Sequence, residues 1–287
     1  MGARKKQTGP ITCTQDEYYY LRNLLRLLVR SREDFQSMRK SMDNRLGQKA
    51  DGTEQDRENL TARAFSPADT EMIQGIGTDA RAQEKQVEKN LLAVLRRMPV
   101  YVNWLHGVKG IGTISAAHIC AAFDIYKADT VSKMWQYAGM NPGMVRGKKR
   151  IDNADNTFEA VLTDTMVKGD RLTPGFVSPF NKELRVALRG VMADGFIKSQ
   201  NDYCMEYYYP MKTRLENSNE LVMSGAGKTR ELTPWRLVKP GHRDGAAKRY
   251  MVKMFLKDLY AAWRPMHGLP VREPYQEQYL GHKHKVA

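Results

Sequence analysis

Between Gln15 and about Leu46, apolar residues recur every three or four positions, and no other feature of the chain constrains its fold as strongly. The repeat consists of Leu21, Leu24, Leu28, Phe35, Met38 and Met42, with an interruption at Ser31. Because this spacing places apolar side chains on one face of a helix, it predicts a single long helix with a coiled-coil seam. Its outward face carries a row of cations spaced four residues apart: Arg22, Arg26 and Arg30.

A second helix with the same rhythm follows a polar stretch. Residues 47–65 contain almost nothing to bury, which predicts a mobile loop. Ser66 then offers an N-cap, with Pro67 at the first helical position and Pro99 ending the helix near Met98. The apolar spacing is carried by Val87, Leu91, Val94 and Met98. We predict an antiparallel helical hairpin over residues 15–99, which packs on itself or forms a homo-oligomer through its coiled coil.

Residues 100–275 are predicted to form a second, helical domain, because glycines separate short helical patterns along them. The clearest helical spacing lies at residues 181–196 and 246–263. Residues 151–179 are acidic and irregular, which predicts an insertion without regular structure. Few segments alternate apolar and polar residues with the period of a strand. The predicted fold class is therefore mostly α.

The charge of the chain favours a polyanionic partner. The net charge is +14, and it is concentrated near the ends. Residues 1–50 carry eleven cations and five anions, and residues 228–287 carry thirteen and five. Residues 1–14 are predicted to form a basic tail, and residues 276–287 a second tail. Such a field raises the local concentration of nucleic acid, although the alternative is that the charge serves solubility alone.

The cysteines and the apolar segments limit the possible compartments and cofactors. Cys13, Cys120 and Cys204 are far apart and form no metal-ligand or disulfide pattern, which indicates a reducing compartment and no zinc site. No run of apolar residues is long enough for a membrane span, and no secretory signal begins the chain. We expect a cytoplasmic, nucleoid-associated protein that needs no metal or other cofactor.

Residues 105–119 match the helix-hairpin-helix pattern of DNA-binding proteins. Gly110 and Gly112 would allow a tight turn that approaches a phosphate, with Ile111 anchoring the turn in the core. The amides of Gly112 and Thr113 would then bind a phosphate oxygen at a helix N-terminus. The DNA-binding candidates of this segment are Lys109, Gly110, Ile111, Gly112 and Thr113. The alternative is a plain glycine turn between two helices.

Further basic segments are candidates for contact with a nucleic-acid backbone. Residues 143–150 form a predicted basic loop between glycines, and the last helix carries a row of cations opposite its apolar stripe. The candidates are Arg146, Lys148, Lys149 and Arg150 in the loop, Arg185 in the helical segment at residues 181–196, and Arg249, Lys253 and Lys257 in the last helix. A solvated charge run is the alternative for the loop, and the ordinary polar face of a surface helix is the alternative for the last helix.

The order of these motifs resembles that of a known family. The hairpin is followed by Gly139-Met140-Asn141-Pro142, by Asn181-Lys182-Glu183-Leu184-Arg185, and by Gly241-His242-Arg243-Asp244 with its basic helix. Together they resemble the C-terminal domain of the Piv/MooV family of insertion-sequence transposases. The preceding helical hairpin is similar to the coiled coil of that family, so the resemblance covers about residues 15–275.

The resemblance implies a DNA-handling domain that supplies a nucleophilic serine to a RuvC-like metal nuclease, with a bridge RNA selecting the DNA. Two departures follow from the sequence. The residues before position 15 leave no room for a RuvC-like domain, so we expect none there, and no serine stands in Val145-Arg146-Gly147, where the family places it. Ser178 is the one candidate replacement, although no activating neighbour is visible. Whether the chain is an enzyme stays open at this point.

The sequence thus favours a transposase-family DNA-binding protein that holds the nucleic-acid backbone during transposition or recombination. A guide RNA and a separate nuclease subunit are further candidate partners. One alternative is an active serine-dependent recombinase that uses Ser178. Another is a coiled-coil scaffold or RNA-binding protein without DNA chemistry.

Overall fold

The computed structural model describes residues 12–46, 65–153, 155, 157–225 and 230–273. The predicted tail over residues 276–287, almost all of the predicted loop at 47–65 and most of the predicted basic tail lie outside these residues. The fold is mostly helical, which confirms the predicted class. The chain divides into two compact units. Unit 1 comprises the residues up to 102 together with 116–122, and unit 2 comprises 103–115 and the residues from 123 onward.

The helices and strands follow one another along the described chain as α1 (Gln15–Arg45), α2 (Pro67–Leu95), α3 (Pro99–Asn103), α4 (Thr113–Ala122), α5 (Val131–Tyr137), β1 (Met144–Asp152), β2 (Phe158–Lys168), α6 (Lys182–Val186), α7 (Ala193–Ser199), α8 (Tyr209–Asn217), β3 (Leu221–Ser224), β4 (Glu231–Pro234) and α9 (Pro240–Trp263). A π-helical turn, Ala187–Met192, joins α6 to α7. None of the helices described is long and apolar enough to cross a bilayer.

Unit 1 is built on α1 and α2, whose starts are fixed by side-chain caps. The Thr14 hydroxyl accepts a hydrogen bond from the amide of Glu17 at 3.2 Å. Ser66 and Asp69 form a reciprocal capping box at the start of α2, and Pro67 follows as the first helical residue. The N-cap predicted at Ser66 is therefore present. The helix ends at Leu95, a turn before the predicted stop near Met98.

The two helices run antiparallel, because the end of α1 contacts the middle of α2, while the start of α1 contacts the residues just beyond the end of α2. Asp43 lies 3.7 Å from the guanidinium of Arg81, and Glu17 lies 3.6 Å from that of Arg97, just beyond α2. Gly77 allows the helices to approach closely, since a Cβ there would lie 3.4 Å from the Cβ of Met42.

The face of α1 that packs inward differs from the predicted seam. The buried residues of α1 are Tyr18, Leu21, Leu25, Val29, Arg32, Arg39 and Asp43. Leu24 and Leu28 are only half-buried, and Met38 is 46% exposed, so the predicted stripe is wrong for much of its length. Arg32 and Arg39 occupy buried positions of α1, where a packed helix face usually carries apolar side chains. Apolar spacing cannot identify a buried cation whose partner lies on the other helix.

In unit 2 the core forms around α9, which begins six residues before the predicted start at Ala246. The side chains of Met251, Phe255, Leu259 and Trp263 are fully buried. The Phe255 ring packs 5.4 Å from that of Phe196 and 5.6 Å from that of Trp104, measured between ring centroids. This aromatic cluster connects α9 to α7 and to the segment before α4, which carries the glycine bend.

A β ribbon replaces the predicted basic loop and the predicted irregular insertion. β1 pairs antiparallel with β2, and Lys149 makes a further bridge to Phe176. Both predictions were wrong for one reason. Side chains on both faces of the ribbon are exposed, so the strands lack the alternation of apolar and polar residues that a half-buried strand shows.

Candidate nucleic-acid interface

The glycine bend of unit 2 is held in place by a close contact with α7. Gly110 has a φ of +92°, which only glycine adopts without strain. A Cβ on Gly110 would lie 2.9 Å from the carbonyl oxygen of Gly195, and a Cβ on Gly195 would lie 2.6 Å from the carbonyl oxygen of Gly110. The Asn201 amide also donates to the carbonyl of Lys109 at 2.9 Å. Gly110 is thus required by packing rather than by the approach of a phosphate.

The other side of the bend is open to solvent. Lys109 and Gly112 are exposed, and no atom lies within 4 Å of a Cβ built on Gly112. Ile111 and Thr113 are half-buried. The amides of Gly112 and Thr113, at the start of α4, donate no hydrogen bond to the part of the chain that the structure describes. An anion can therefore reach these two amides, as the helix-hairpin-helix interpretation requires.

All four predicted basic residues of this segment are exposed along β1, and we call them the basic row. Arg146, Lys148 and Arg150 lie on one face of the ribbon, and Lys149 lies on the other. The guanidinium of Arg150 lies over the ring of Phe158 at 4.4 Å and contacts Asp152 at 2.6 Å. Neither lysine side chain forms a hydrogen bond or ion pair with the described residues.

The charge of the ribbon changes sign along its length. Three of its acidic residues lie toward the turn: Asp152, Asp155 and Glu159. A fourth, Asp164, lies at the opposite end and contacts Arg146 at 4.0 Å. The opposite end, the ribbon base, carries Arg146, Lys148 and Lys168. Exposed apolar side chains alternate with these cations on the same face, since Leu162 pairs with Lys148 and Met166 with Arg146. The base of the ribbon is therefore both basic and apolar.

The ribbon base is stiffened by a third segment. The amide of Val177 donates to the carbonyl of Lys148 at 2.7 Å, and the amide of Arg150 donates to that of Gly175 at 3.1 Å. Gly147 leaves room for the Phe176 ring, because a Cβ there would lie 2.6 Å from a ring carbon. The basic strand is thus held on both edges.

Two arginines contact Asp170, in the segment that follows β2, and two further arginines lie near enough to act on this group electrostatically. Arg249 contacts the carboxylate of Asp170 at 3.2 Å, and Arg185 donates a short hydrogen bond to the backbone carbonyl of the same residue. Arg189 donates to the carbonyl of Gly245 at 3.2 Å, one turn before Arg249 on α9. We call this group the arginine cluster: Arg171, Arg185, Arg189 and Arg249.

The cluster is partly removed from water, and its cations act on one another. Burial lowers the pKa of Arg189, and the charges of Arg185 and Arg249 lower it further. Burial also lowers the pKa of Arg249, which Asp170 opposes. The pKa of His242 is lowered by burial and then by Arg249 and Arg171. Burial is the largest cause of each lowered pKa, and neighbouring cations add to it in all three groups.

Two of the segments that carry the family resemblance, residues 139–142 and 181–185, meet at this cluster. The amide of Asn181 donates to the carbonyl of Tyr137 at 2.8 Å. Gly139 has a φ of +67°, and a Cβ there would lie 2.9 Å from the Phe180 ring and 3.0 Å from the Cδ of Arg185. Arg185 in turn lies over the Phe180 ring at 4.7 Å. The glycine therefore positions the arginine that contacts Asp170.

No family model matches the chain, and no curated protein is significantly similar to it.

The predicted row of cations on α9 does not form an open basic face. All three of its side chains are half-buried: Arg249, Lys253 and Lys257. The Lys253 ammonium lies 4.2 Å from the centroid of the Trp135 ring, whose indole nitrogen donates to the Lys253 carbonyl at 2.9 Å. Burial lowers the pKa of Lys253, and Arg249 lowers it further. Of this row, only Arg249 belongs to a larger cationic group.

In unit 1, the predicted row on α1 is only partly free. Arg22 is half-buried and donates to the carbonyl of Ala122 at 2.9 Å. Arg26 and Arg30 are exposed. The row thus offers two accessible cations.

Ser178 lies in a turn rather than in a catalytic constellation. Its hydroxyl donates to the carbonyl of Phe180 at 2.7 Å. It lines a cavity of about 470 Å³ together with Arg150 and Lys182. Among the described residues, no base is hydrogen-bonded to it, and no group of three or more His, Cys, Asp or Glu side chains could hold a metal ion. The geometry gives Ser178 no activated hydroxyl.

Three residues at or beside the arginine cluster were not predicted from the sequence: Asp170, Arg171 and Arg189. Arg189 lies four residues after Arg185, so the helical spacing alone could have placed the two together. Asp170 and Arg171 lie in the stretch predicted to be irregular, where no periodic pattern is present.

Proposed function

We propose that this chain is a transposase-type DNA-binding protein, which takes part in transposition or recombination by holding the sugar-phosphate backbone. The observation that carries the proposal is the exposed row of Arg146, Lys148, Lys149 and Arg150 on a stiffened β ribbon. The ordered motifs that resemble the Piv/MooV family support the same function.

The shape of the ribbon favours duplex DNA over duplex RNA. The major groove of B-form DNA admits a two-stranded ribbon, whereas the major groove of A-form RNA is too narrow for protein side chains to read. On one face of the ribbon, Leu162 and Met166 lie beside the cations and offer apolar surface to the groove. Guanidinium and ammonium groups neutralise the phosphates on either side.

The open side of the glycine bend would provide a second backbone contact. Two amides at a helix N-terminus favour a phosphate oxygen through both hydrogen bonding and the helix dipole. Such a contact fixes the position of the duplex without reading its sequence. Lys109 stands beside it as an exposed cation.

Removing the basic row should reduce the salt dependence of DNA binding. The variant with Arg146, Lys148, Lys149 and Arg150 all changed to Gln should lower the slope of log affinity against log salt by about 0.9 for each phosphate that is no longer neutralised. Gel-shift or fluorescence-anisotropy titrations of a duplex over a range of salt concentrations measure this slope.

The matched control removes the same charge elsewhere. Changing Lys40, Lys85, Lys89 and Arg96 to Gln removes four exposed cations from unit 1. This control should keep most of the slope. Equal losses in both variants would show that net charge, rather than the ribbon, holds the DNA. Equal affinity for duplex RNA would contradict insertion of the ribbon into the groove.

A substitution at Gly112 should weaken DNA binding without affecting folding. Gly112→Leu places a side chain in open space but covers the two free amides, so we expect about a tenfold loss of duplex affinity, the effect of one or two charge-assisted hydrogen bonds. Circular dichroism should be unchanged. Gly107→Leu is the matched control, because Gly107 is also exposed with open space at Cβ, yet its amide already donates to Trp104. Full affinity in Gly112→Leu would remove the bend from the interface.

A further inference from the structure

We propose that the arginine cluster binds a phosphate group. The geometry places three guanidiniums, from α6, from the π-helical turn and from α9, around Asp170 and Gly245, and Arg171 follows Asp170 in the chain. This site shares no residue with the basic row of β1 or with the glycine bend.

The charges of the cluster are not balanced by the described residues. Of the carboxylates that the structure describes, Asp170 is the one in contact with these arginines, through Arg249. Asp244 is close enough to influence Arg189, but its carboxylate already contacts Lys248 at 3.2 Å and accepts a hydrogen bond from Tyr208. An excess of cations that are partly removed from water is costly unless an anion offsets it.

Most hydrogen-bond donors of the cluster are unused. A guanidinium has five N–H donors. Within the part of the chain described, Arg185, Arg189 and Arg249 each donate one hydrogen bond, and the Arg171 side chain donates none. These donors remain available to an incoming ligand.

The number of arginines favours phosphate over a carboxylate. A carboxylate offers two oxygens, whereas a phosphate offers three or four and can therefore meet more guanidinium forks at once. Asp170 already supplies a carboxylate, and donors remain. Arginine is also the residue best suited to partly buried phosphate sites, because its guanidinium stays charged and is weakly hydrated.

The lowered pKa values of the residues in and beside the cluster are consistent with a bound phosphate. Arg189, Arg249 and His242 each have a pKa lowered by burial and by neighbouring cations. A dianion among them would oppose these effects. The phosphate could belong to a nucleic-acid end or be free in solution, and both share the same recognition chemistry.

Calorimetric titration with inorganic phosphate tests the site in the full-length chain. Ionic strength is held constant with chloride near neutral pH, so that only specific binding produces a saturable signal. We expect saturable binding, together with a rise in the thermal unfolding midpoint in phosphate. No nucleic acid is present, so the result does not depend on whether the ribbon binds DNA.

Two variants connect the binding to the cluster. Arg171→Gln and Arg189→Gln should each weaken phosphate binding about tenfold or more, because each removes a charged donor. Arg171 is exposed and has no side-chain contact that folding requires among the described residues, so its substitution should leave the circular dichroism unchanged. Lys198→Gln, which removes an exposed cation from α7, is the matched control and should bind as the unmodified chain does.

Oligonucleotides identify the source of the phosphate. Tighter binding of a 5′-phosphorylated strand than of its unphosphorylated twin, abolished in Arg171→Gln, would assign the site to a nucleic-acid end. Equal binding of both strands, with phosphate still saturable, would assign it to free phosphate. The proposal is overturned if phosphate has no more effect than chloride, or if Arg171→Gln and Arg189→Gln both bind phosphate with unchanged affinity.

Discussion

Glu84→Gln should lower the free energy of unfolding of the α1–α2 pair by about 3 kcal/mol, the lower end of the cost of breaking a buried ion pair. One oxygen of Glu84 accepts from Arg32 at 2.7 Å, and the other accepts from Arg39 at 2.9 Å. The side chains of all three are about 90% buried. Glu88 and Asp43 still contact the two arginines in the variant, which keeps the loss near the lower end.

Far-UV circular dichroism during urea unfolding measures this loss. The four tryptophans of the chain lie in unit 2, so their fluorescence reports on that unit separately. Glu71→Gln, at an exposed position of the same helix, is the control and should change stability by less than about 0.5 kcal/mol. A loss in Glu84→Gln no larger than in this control would mean that the network does not stabilise the pair.

A double variant tests whether Glu84 and Arg39 stabilise the protein through their contact with each other. If Glu84 acts by neutralising Arg39, then Arg39→Gln combined with Glu84→Gln should cost less than the sum of the two single changes. Additive costs would indicate that the two residues contribute independently.

Gly110→Ala should destabilise unit 2 by about 2–4 kcal/mol, because it combines backbone strain with overpacking. The φ of +92° is unfavourable for alanine. The new Cβ would also lie 2.7 Å from the Ser199 hydroxyl and 2.9 Å from the Gly195 carbonyl oxygen. The serine can rotate away, but the carbonyl belongs to the backbone of α7 and cannot move alone.

Tryptophan fluorescence during urea unfolding follows this change, since Trp104 lies six residues before the bend. Gly112→Ala is the matched control. It adds the same methyl group two residues away, in open space and without a positive φ, so stability should stay within about 0.5 kcal/mol. Similar effects of the two substitutions would contradict the packing of the bend on α7.

The sequence predicted the elements that depend on neighbouring residues better than those that depend on distant ones. The starts of α1 and α2 depend on local capping, and the N-cap at Ser66 was visible in the sequence. The ribbon depends on hydrogen bonds between strands separated by a turn, and its exposed side chains follow no apolar pattern. The inward face of α1 depends on whether a carboxylate from α2 meets Arg32 and Arg39, which spacing along one helix does not reveal.

The candidate site shows the same division. The segments with Gly112, Arg146 and Arg185 were selected from residue type and glycine spacing. Their neighbours were not. Asp170 belongs to the site because it contacts Arg185 and Arg249, which lie 15 and 79 residues further along the chain.

The sequence by itself determined the mostly helical class, the excess of basic residues and the position of the glycine bend, because these depend on composition and on neighbours within a few positions. Only the tertiary structure decided that Gly110 faces α7 while Gly112 faces solvent, and that Arg185 and Arg249 meet at Asp170. Those outcomes depend on which distant segments pack together, and packing is set by shape and by charge pairing across the whole unit rather than by any local pattern.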